Sequence, residues 1–480
     1  MITEFLNKYF KKNNKLQNNE AYALPINIIK NFNKTRPLKA RKHLCNAPFK
    51  NMFFSAEGDV YACCFNQKYS LGNINEKSLK EIWNSEKAIY FRNQIENKEL
   101  INGCDECKYS LYNKQYKSTL ISTYDKYPGH SEYPTYMEFQ ISNLCNLECS
   151  MCIGDFSSTI AIKREHRKPT ESPYGKDFLS QLEEFIPHLK YTLFSGGEPF
   201  ISPIYYDIWE LIRKINPSCN IMVQTNGTIL NEKVKNVLNG GIFNIGISID
   251  SLNKETYKNI RVNASLDETL KNILFFKEYC HTNKNYISLS FCPMQQNWHE
   301  IPDIINFCNK NEINIFFSTV WFPGKNALWV LDSKKIIEII KKLSDTKFII
   351  HNHLHKENIR IYKNLINTFE NWYKIALKWE NYKPIEIDPI EIMKTENEIF
   401  QKINNYYAGI NNKTSENNIE TNIISKLKNA FNNIPNNDTK LKGLQLICSY
   451  KESKIIENIY REDEEGLLLL IKNLHRFRDL

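Results

Sequence analysis

Cys145, Cys149 and Cys152 fall within eight residues of one another, on a stretch that follows an apolar run at 136–141. Three thiolates on a loop leaving the carboxyl end of a strand can hold three corners of a cubane iron–sulfur cluster. The fourth iron is then open to a ligand, just as a three-ligand zinc site keeps a position for water or substrate. The spacing leaves two other readings open: a structural zinc completed from elsewhere, and a loop that merely happens to be rich in cysteine.

A second set lies upstream. Cys45, Cys63, Cys104 and Cys107 make four thiolates, the last two at chelate spacing, and Cys64 is an alternative to Cys63. Such a set can hold either zinc or a second [4Fe–4S] cluster, and spacing alone does not separate them. Cys219, Cys280, Cys292, Cys308 and Cys448 are isolated in apolar or helical settings, where a free cysteine is ordinarily a small core hydrophobe. Cys292, just past an apolar run, is the one that can face a strand-end opening. His351, His353 and His355 alternate as strand positions would, and are read as a solvated loop before a metal site.

Downstream of the three-cysteine loop come Gly196-Gly197-Glu198, Thr225-Asn226 and Ser248-Ile249-Asp250-Ser251, each just after an apolar run. Adjacent glycines bare the backbone to close approach, and Glu198 supplies an acceptor for an ammonium group. Taken alone, the same residues describe an ordinary turn with a helix-capping glutamate.

The elements that must position these groups are legible in the periodicity. Apolar runs at 136–141, 191–194, 221–224, 243–249, 287–291 and 313–317 alternate with amphipathic stretches at 179–189, 205–215, 232–238, 266–279 and 301–309. Strand-then-helix units in series predict a parallel α/β domain, and six are too few for the usual eight-unit barrel. An incomplete barrel or an open doubly wound sheet remains; of the two the partial (β/α)6 TIM-like barrel (134–328) is expected, preceded by an N-terminal segment (1–39), a small cysteine-bearing domain (40–110) with one helix at 79–91 and a linker (111–133), and followed by a helical, Asn- and Lys-rich C-terminal extension (329–480). Twelve asparagines between 404 and 437 favour a mobile linker there, and the last thirty residues read as a terminal helix.

Composition excludes other classes. With 480 residues, 42% hydrophobic and 24% charged, the chain is neither a stapled miniprotein nor disordered. It has no apolar run near the ~20 residues of a membrane span and no export signal at Met1, so a cytoplasmic protein without a membrane partner is expected. Clustered cysteines in an unexported chain favour metal ligation over disulfides. The net charge of +9 is spread along the chain and is read as a mildly basic surface, with no nucleic-acid partner expected.

The Cys-x3-Cys-x2-Cys loop, followed in strand order by Gly196-Gly197-Glu198, Thr225 and Ser248, resembles the radical S-adenosylmethionine enzymes over residues 134 to 325. The resemblance implies that Cys145, Cys149 and Cys152 hold a [4Fe–4S] cluster whose open iron is chelated by S-adenosylmethionine. It also implies that Gly196, Gly197 and Glu198 receive the amino group, that Thr225, Asn226 and Ser248 belong to the cofactor site, and that Arg261 meets the carboxylate. Met151 departs from the aromatic residue usual beside the adenine. The Cys-x12-Gly-x4-Cys pattern from Cys45 to Cys63, with Leu71-Gly72-Asn73-Ile74 and Ser78-Leu79-Lys80-Glu81-Ile82-Trp83, resembles the auxiliary-cluster modules named SPASM and twitch. With four ligands, the one-cluster twitch type is the better match. Its place before the barrel resembles radical enzymes with an N-terminal twitch domain.

The activity so implied is reductive cleavage of S-adenosylmethionine to a 5′-deoxyadenosyl radical that abstracts hydrogen from a substrate, with a peptide or protein side chain favoured. A reducing partner such as flavodoxin or ferredoxin is implied. Two alternatives stand beside it: radical oxidation of a small carbinol or sugar, and a non-catalytic iron–sulfur electron-transfer or scaffold protein. No catalytic acid or base is identifiable.

Overall fold

Alternation of apolar and polar residues builds one sheet in the computed structural model, which describes residues 23–116, 119–126, 132–165, 172–409, 416–448, 455–456, 459, 462–474 and 476. The expected N-terminal segment lies outside the described residues up to position 22, and the expected linker does so in part. Six parallel strands run in chain order as β4 (Tyr136–Phe139), β5 (Tyr191–Phe194), β6 (Asn220–Thr225), β7 (Ile242–Ser248), β8 (Ile287–Phe291) and β9 (Asn314–Phe317). Each is followed by helical structure, as a partial TIM-like barrel requires. Along these strands Met137, Phe139, Phe194, Ile221, Val223, Ile245, Ile247, Leu289 and Ile315 are buried in the main core. The alternate residues necessarily face the barrel interior.

The sheet does not begin at β4. Preceding it are β1 (Asn51–Phe54), β2 (Asp59–Tyr61) and β3 (Gly72–Asn73), and the whole sheet has the order β3-β2-β1-β4-β5-β6-β7-β8-β9. Strand β1 pairs parallel with β4, Asn51 opposite Tyr136 and Phe54 opposite Phe139. The cysteine-bearing region is thus continuous with the barrel sheet, and it carries a second small core of Leu24, Phe32, Leu44, Phe49, Ile95, Leu100, Leu111 and Ile121.

At the other edge, β9 is covered by the helix His353–Glu380. Asn358 on that helix accepts from Ile315 N at 3.0 Å and donates to Ile313 O at 3.0 Å, satisfying edge backbone that would otherwise invite another strand. The helices Ser333–Ser344, Pro389–Gly409, Glu416–Asn432, Asn437–Cys448 and Glu464–Leu474 complete the C-terminal region. No helix among the described residues is long and apolar enough to cross a membrane.

Three local expectations change. The stretch at 79–91 is two helices, Leu79–Trp83 and Glu86–Glu96, because Ser78 and Ser85 each cap a separate start. His353 and His355 lie in the first turn of a helix capped by Asn352; His355 is buried, with Nε2 3.0 Å from Asn309 O. The Asn-rich region is helical on both sides of residues 410–415, which lie outside the described residues. There Ile423, Leu427, Ala430, Phe431 and Ile434 are buried at helical spacing, and packing of that stripe overrides the low propensity of asparagine.

Candidate active site and thiol clusters

The loop after β4 is held by its own backbone and by every neighbouring strand end. Cys145 N donates to Ser158 Oγ, Thr159 Oγ1 donates to Cys145 O at 2.6 Å, and Ser157 Oγ donates to Leu147 O at 2.7 Å. Glu148 N and Ser150 N donate to Val262 O and Ile260 O, lacing the loop to the segment beyond β7. Asn326 Nδ2, beyond β9, donates to Ser150 Oγ at 3.1 Å, so the loop spans the mouth of the open barrel. The three thiols are brought within electrostatic reach of one another. Burial pushes Cys145 up to about 11, and burial with the charges of Cys149 and Cys145 pushes Cys152 up to about 12. Burial also raises Cys149, against the pull of the Arg261 guanidinium. Deprotonating three buried thiols is unfavourable unless positive charge sits among them, as a cluster core supplies.

Gly196 and Gly197 have φ of +81° and +56°, in the left-handed region that favours glycine. A Cβ on Gly197 would stand 2.3 Å from Leu144 O, and one on Gly196 would stand 2.7 Å from Gln140 Cγ. The close approach served by these glycines in the structure is to the cysteine loop itself, and Glu198 N donates to Leu144 O at 2.7 Å. The Glu198 side chain is fully buried. It accepts from Thr225 Oγ1 at 2.7 Å, Asn226 N at 2.6 Å and Phe200 N at 3.1 Å. Read from sequence as an ammonium acceptor, this carboxylate has three of its roughly four lone-pair positions committed to the chain's own donors. Burial raises it to about 7, opposed by those three hydrogen bonds.

Thr225 and Asn226 extend the same network: Asn226 Nδ2 donates to Asn146 Oδ1 at 3.0 Å and lies 3.9 Å from Cys145 Sγ. Ser248 is half-buried and accepts from Gln224 Nε2 at 3.1 Å. Arg261 is buried against the cysteine loop. Its Nε donates to Asp250 Oδ2 at 2.6 Å and its Nη1 reaches Cys149 Sγ at 3.7 Å. Met151 packs in a small core with Ile260, Met294, Val320 and Cys292.

The upstream set also assembles. Cys104 immediately precedes the helix Asp105–Tyr112 and Cys107 lies in its first turn. Cys45 feels the charges of Cys63 and Cys107, and Cys104 those of Cys107, Cys63 and Cys45. Burial leads in raising all four, Cys63 to about 12 and Cys107 to about 11. Cys64 points elsewhere, with Sγ 3.9 Å from Tyr124 Oη and beside Glu138. Among the described residues no three His, Cys, Asp or Glu side chains close around a single metal ion. Seven soft thiols, without histidine or carboxylate, are a donor chemistry that fits iron–sulfur cores.

Sequence reasoning missed Asn51, Tyr124, Glu138 and the use of Asp250. Glu138 is a buried carboxylate inside an apolar strand, which was its one signal; it accepts from Asn51 Nδ2 and Tyr124 Oη, both at 2.6 Å. Asp250, fully buried, accepts from Cys292 N at 2.7 Å as well as from Arg261, and Cys292 thereby sits at the strand-end opening beside the loop. Cys219, Cys280 and Cys308 are buried core residues, and Cys448 Sγ lies 3.4 Å from Glu398 Oε2. The interior positions of β5 to β9 include Leu193, Met222, Gln224, Asn244, Ser248, Ser288, Ser290, Asn314 and Phe316, with no lysine or arginine on any of these strands. Phe316 is 57% exposed.

Residues 139–308 match the model of the radical SAM superfamily, and residues 45–108 match SPASM, an iron-sulfur cluster-binding domain. A GTP 3′,8-cyclase of Clostridium perfringens (strain SM101 / Type A) is 28% identical over 237 residues, 46% of this chain and 67% of that one. One from Limosilactobacillus fermentum is 26% identical, covering 43% and 58%. Among solved structures, native anSMEcpe with bound AdoMet is 19% identical, covering 44% of this chain and 59% of that one with a TM-score of 0.35. Streptococcus suis SuiB bound to precursor peptide SuiA is 14% identical, covering 56% and 61%, with a TM-score of 0.35. The chain spans about two thirds or less of the length of each.

Proposed function

The chain carries a radical S-adenosylmethionine domain and an iron–sulfur SPASM domain, hence a [4Fe–4S] cluster, S-adenosylmethionine and an additional cluster, and from that premise we propose a radical enzyme acting on a peptide or protein side chain. The observation that carries the substrate class is the barrel interior. Its amides and hydroxyls are uncharged: Asn244 and Asn314 bond the backbone at Tyr286 N and Ile287 O, Gln224 bonds Ser248, Ser288 and Ser290 complete the polar lining, and Met222 and Phe316 add apolar surface. Such a wall suits a substrate whose backbone offers neutral donors and acceptors and whose side chain needs contact. A nucleoside triphosphate, the second reading favoured by the names of the cyclase relatives, calls for cations at its phosphates; strands β5 to β9 present none inward, and the cations beside the cysteine loop, Arg164, Lys325 and Lys426, share their cavity with Glu165, Glu462 and Asp463.

In this reading Cys145, Cys149 and Cys152 hold the cluster of the radical site, and Cys45, Cys63, Cys104 and Cys107 hold the auxiliary one. S-adenosylmethionine, when bound there, supplies the 5′-deoxyadenosyl radical that takes a hydrogen atom from a substrate carbon. The chain's own residues position that event. Glu198 ties the loops after β5 and β6 together through Thr225 and Asn226, leaving Gly196 and Gly197 free to pack under the cysteine loop. Ser150, held by Asn326, keeps the loop over the barrel mouth. The test is anaerobic turnover of the reconstituted chain with dithionite and S-adenosylmethionine, offered peptides on one hand and GTP on the other. Peptide-dependent stimulation of 5′-deoxyadenosine with a mass change in the peptide supports the reading. Conversion of GTP without peptide turnover overturns it.

A further inference from the structure

Cys149 is singled out among the three thiols of the barrel loop by the charges arranged around it. The Arg261 guanidinium reaches its sulfur at 3.7 Å, and Arg164 Nη2 donates to its carbonyl oxygen at 3.1 Å. Arg261 is itself held by Asp250, with Nε and Nη2 both 2.6 Å from Oδ2. Asp250 is fixed in turn by Cys292 N on its other oxygen, and its backbone carbonyl accepts from Asn297 Nδ2 at 2.7 Å. The cation therefore cannot swing away from the sulfur without breaking a buried ion pair. The backbone bonds from residues 148 and 150 to residues 262 and 260 bring Arg261 and Cys149 together from the other side.

We propose that the Arg261–Asp250 pair sets the reduction potential of the radical-site cluster through Cys149, Arg261 raising it and Asp250 moderating that rise. The inference rests on Cys145, Cys149 and Cys152 being the ligands of that cluster. Its physics is simple. Taking up one electron makes the cluster and its thiolates more negative by one charge, with no proton or bond involved. A cation at a ligand sulfur favours the more negative state, and a hydrogen bond to sulfur acts in the same sense. The carboxylate behind the cation partly cancels its field, so removing each partner alone moves the potential in opposite directions. Both are positioning residues: they act through Cys149.

The experiment is an anaerobic redox titration of the reconstituted full-length chain, followed by electron paramagnetic resonance without S-adenosylmethionine, so that a contact of Arg261 with the cofactor carboxylate contributes nothing. The auxiliary-site wave serves as internal reference. Arg261→Gln should shift the radical-site wave to lower potential, Arg261→Lys should shift it less, and Asp250→Asn should shift it to higher potential, each at wild-type iron content. Should Arg261→Gln lose iron, Asp250→Asn and Arg261→Lys still carry the test. Shifts in the same direction, no shift at retained iron, or loss of iron in all three would overturn the proposal, the last by showing the pair to be structural. Failure of the underlying ligand reading is seen separately, as equal iron content in the wild type and in a Cys145, Cys149 and Cys152 triple alanine variant.

Discussion

Tyr124 donates its hydroxyl proton to Glu138 Oε1 at 2.6 Å, joining the segment that returns from the cysteine module to the first barrel strand. Asn51 on β1 donates to the same oxygen at 2.6 Å. The carboxylate is fully buried and burial holds it above the ordinary carboxylate range. Tyr124→Phe should cost about 2 kcal/mol, the ordinary range for a hydrogen bond to a charged group, measured by denaturant unfolding at constant iron content. An unchanged midpoint would show that the module and barrel do not depend on this contact.

Iron content follows from the thiol count. Anaerobic reconstitution should give about eight irons per chain, two cubanes' worth. The Cys145, Cys149 and Cys152 triple alanine variant should lose about half, and Cys104→Ala with Cys107→Ala the other half. Zinc recovered at the upstream site in place of iron would contradict the auxiliary-cluster assignment.

Gly197→Ala places a methyl 2.3 Å from Leu144 O at a φ of +56°. The backbone neighbour cannot yield as a flexible side chain would, and left-handed backbone costs alanine a further 1 kcal/mol or so. The variant should therefore hold about half the wild-type iron, lost from the barrel loop. Full iron content with normal 5′-deoxyadenosine formation would contradict the packing role given to this glycine.

Glu198 makes a prediction about pH. Its carboxyl, ordinarily near 4.5, is raised to about 7 by burial, so the folded chain binds more protons than the unfolded one between those values. Stability linked to this group is complete below about 4.5 and falls as pH rises through about 7. Thermal unfolding of the metal-free chain from pH 5 to 8 should show that fall, and Glu198→Gln should flatten it. Identical pH profiles would count against a buried, raised carboxyl.

Features that depend only on neighbours along the chain are legible before folding. Cys145, Cys149 and Cys152 are close whatever the fold, and the six strands from β4 to β9 follow from alternation within each run, since side chains of a strand repeat every two residues. The Cys104–Cys107 pair is likewise local. Tertiary structure decided what joins distant segments. Pairing of β1 with β4 makes one sheet of the module and the barrel, although 85 positions separate Asn51 from its partner Tyr136 and nothing periodic links them. Arg261 and Cys149 lie 112 positions apart, and Cys63 joins its set while Cys64 turns to Tyr124 and Glu138. Glu198 carried the signature of a ligand-facing carboxylate and also of a cap. Only packing showed its oxygens turned to Phe200, Thr225 and Asn226, because a buried carboxylate takes the donors that the surrounding strand ends bring to it.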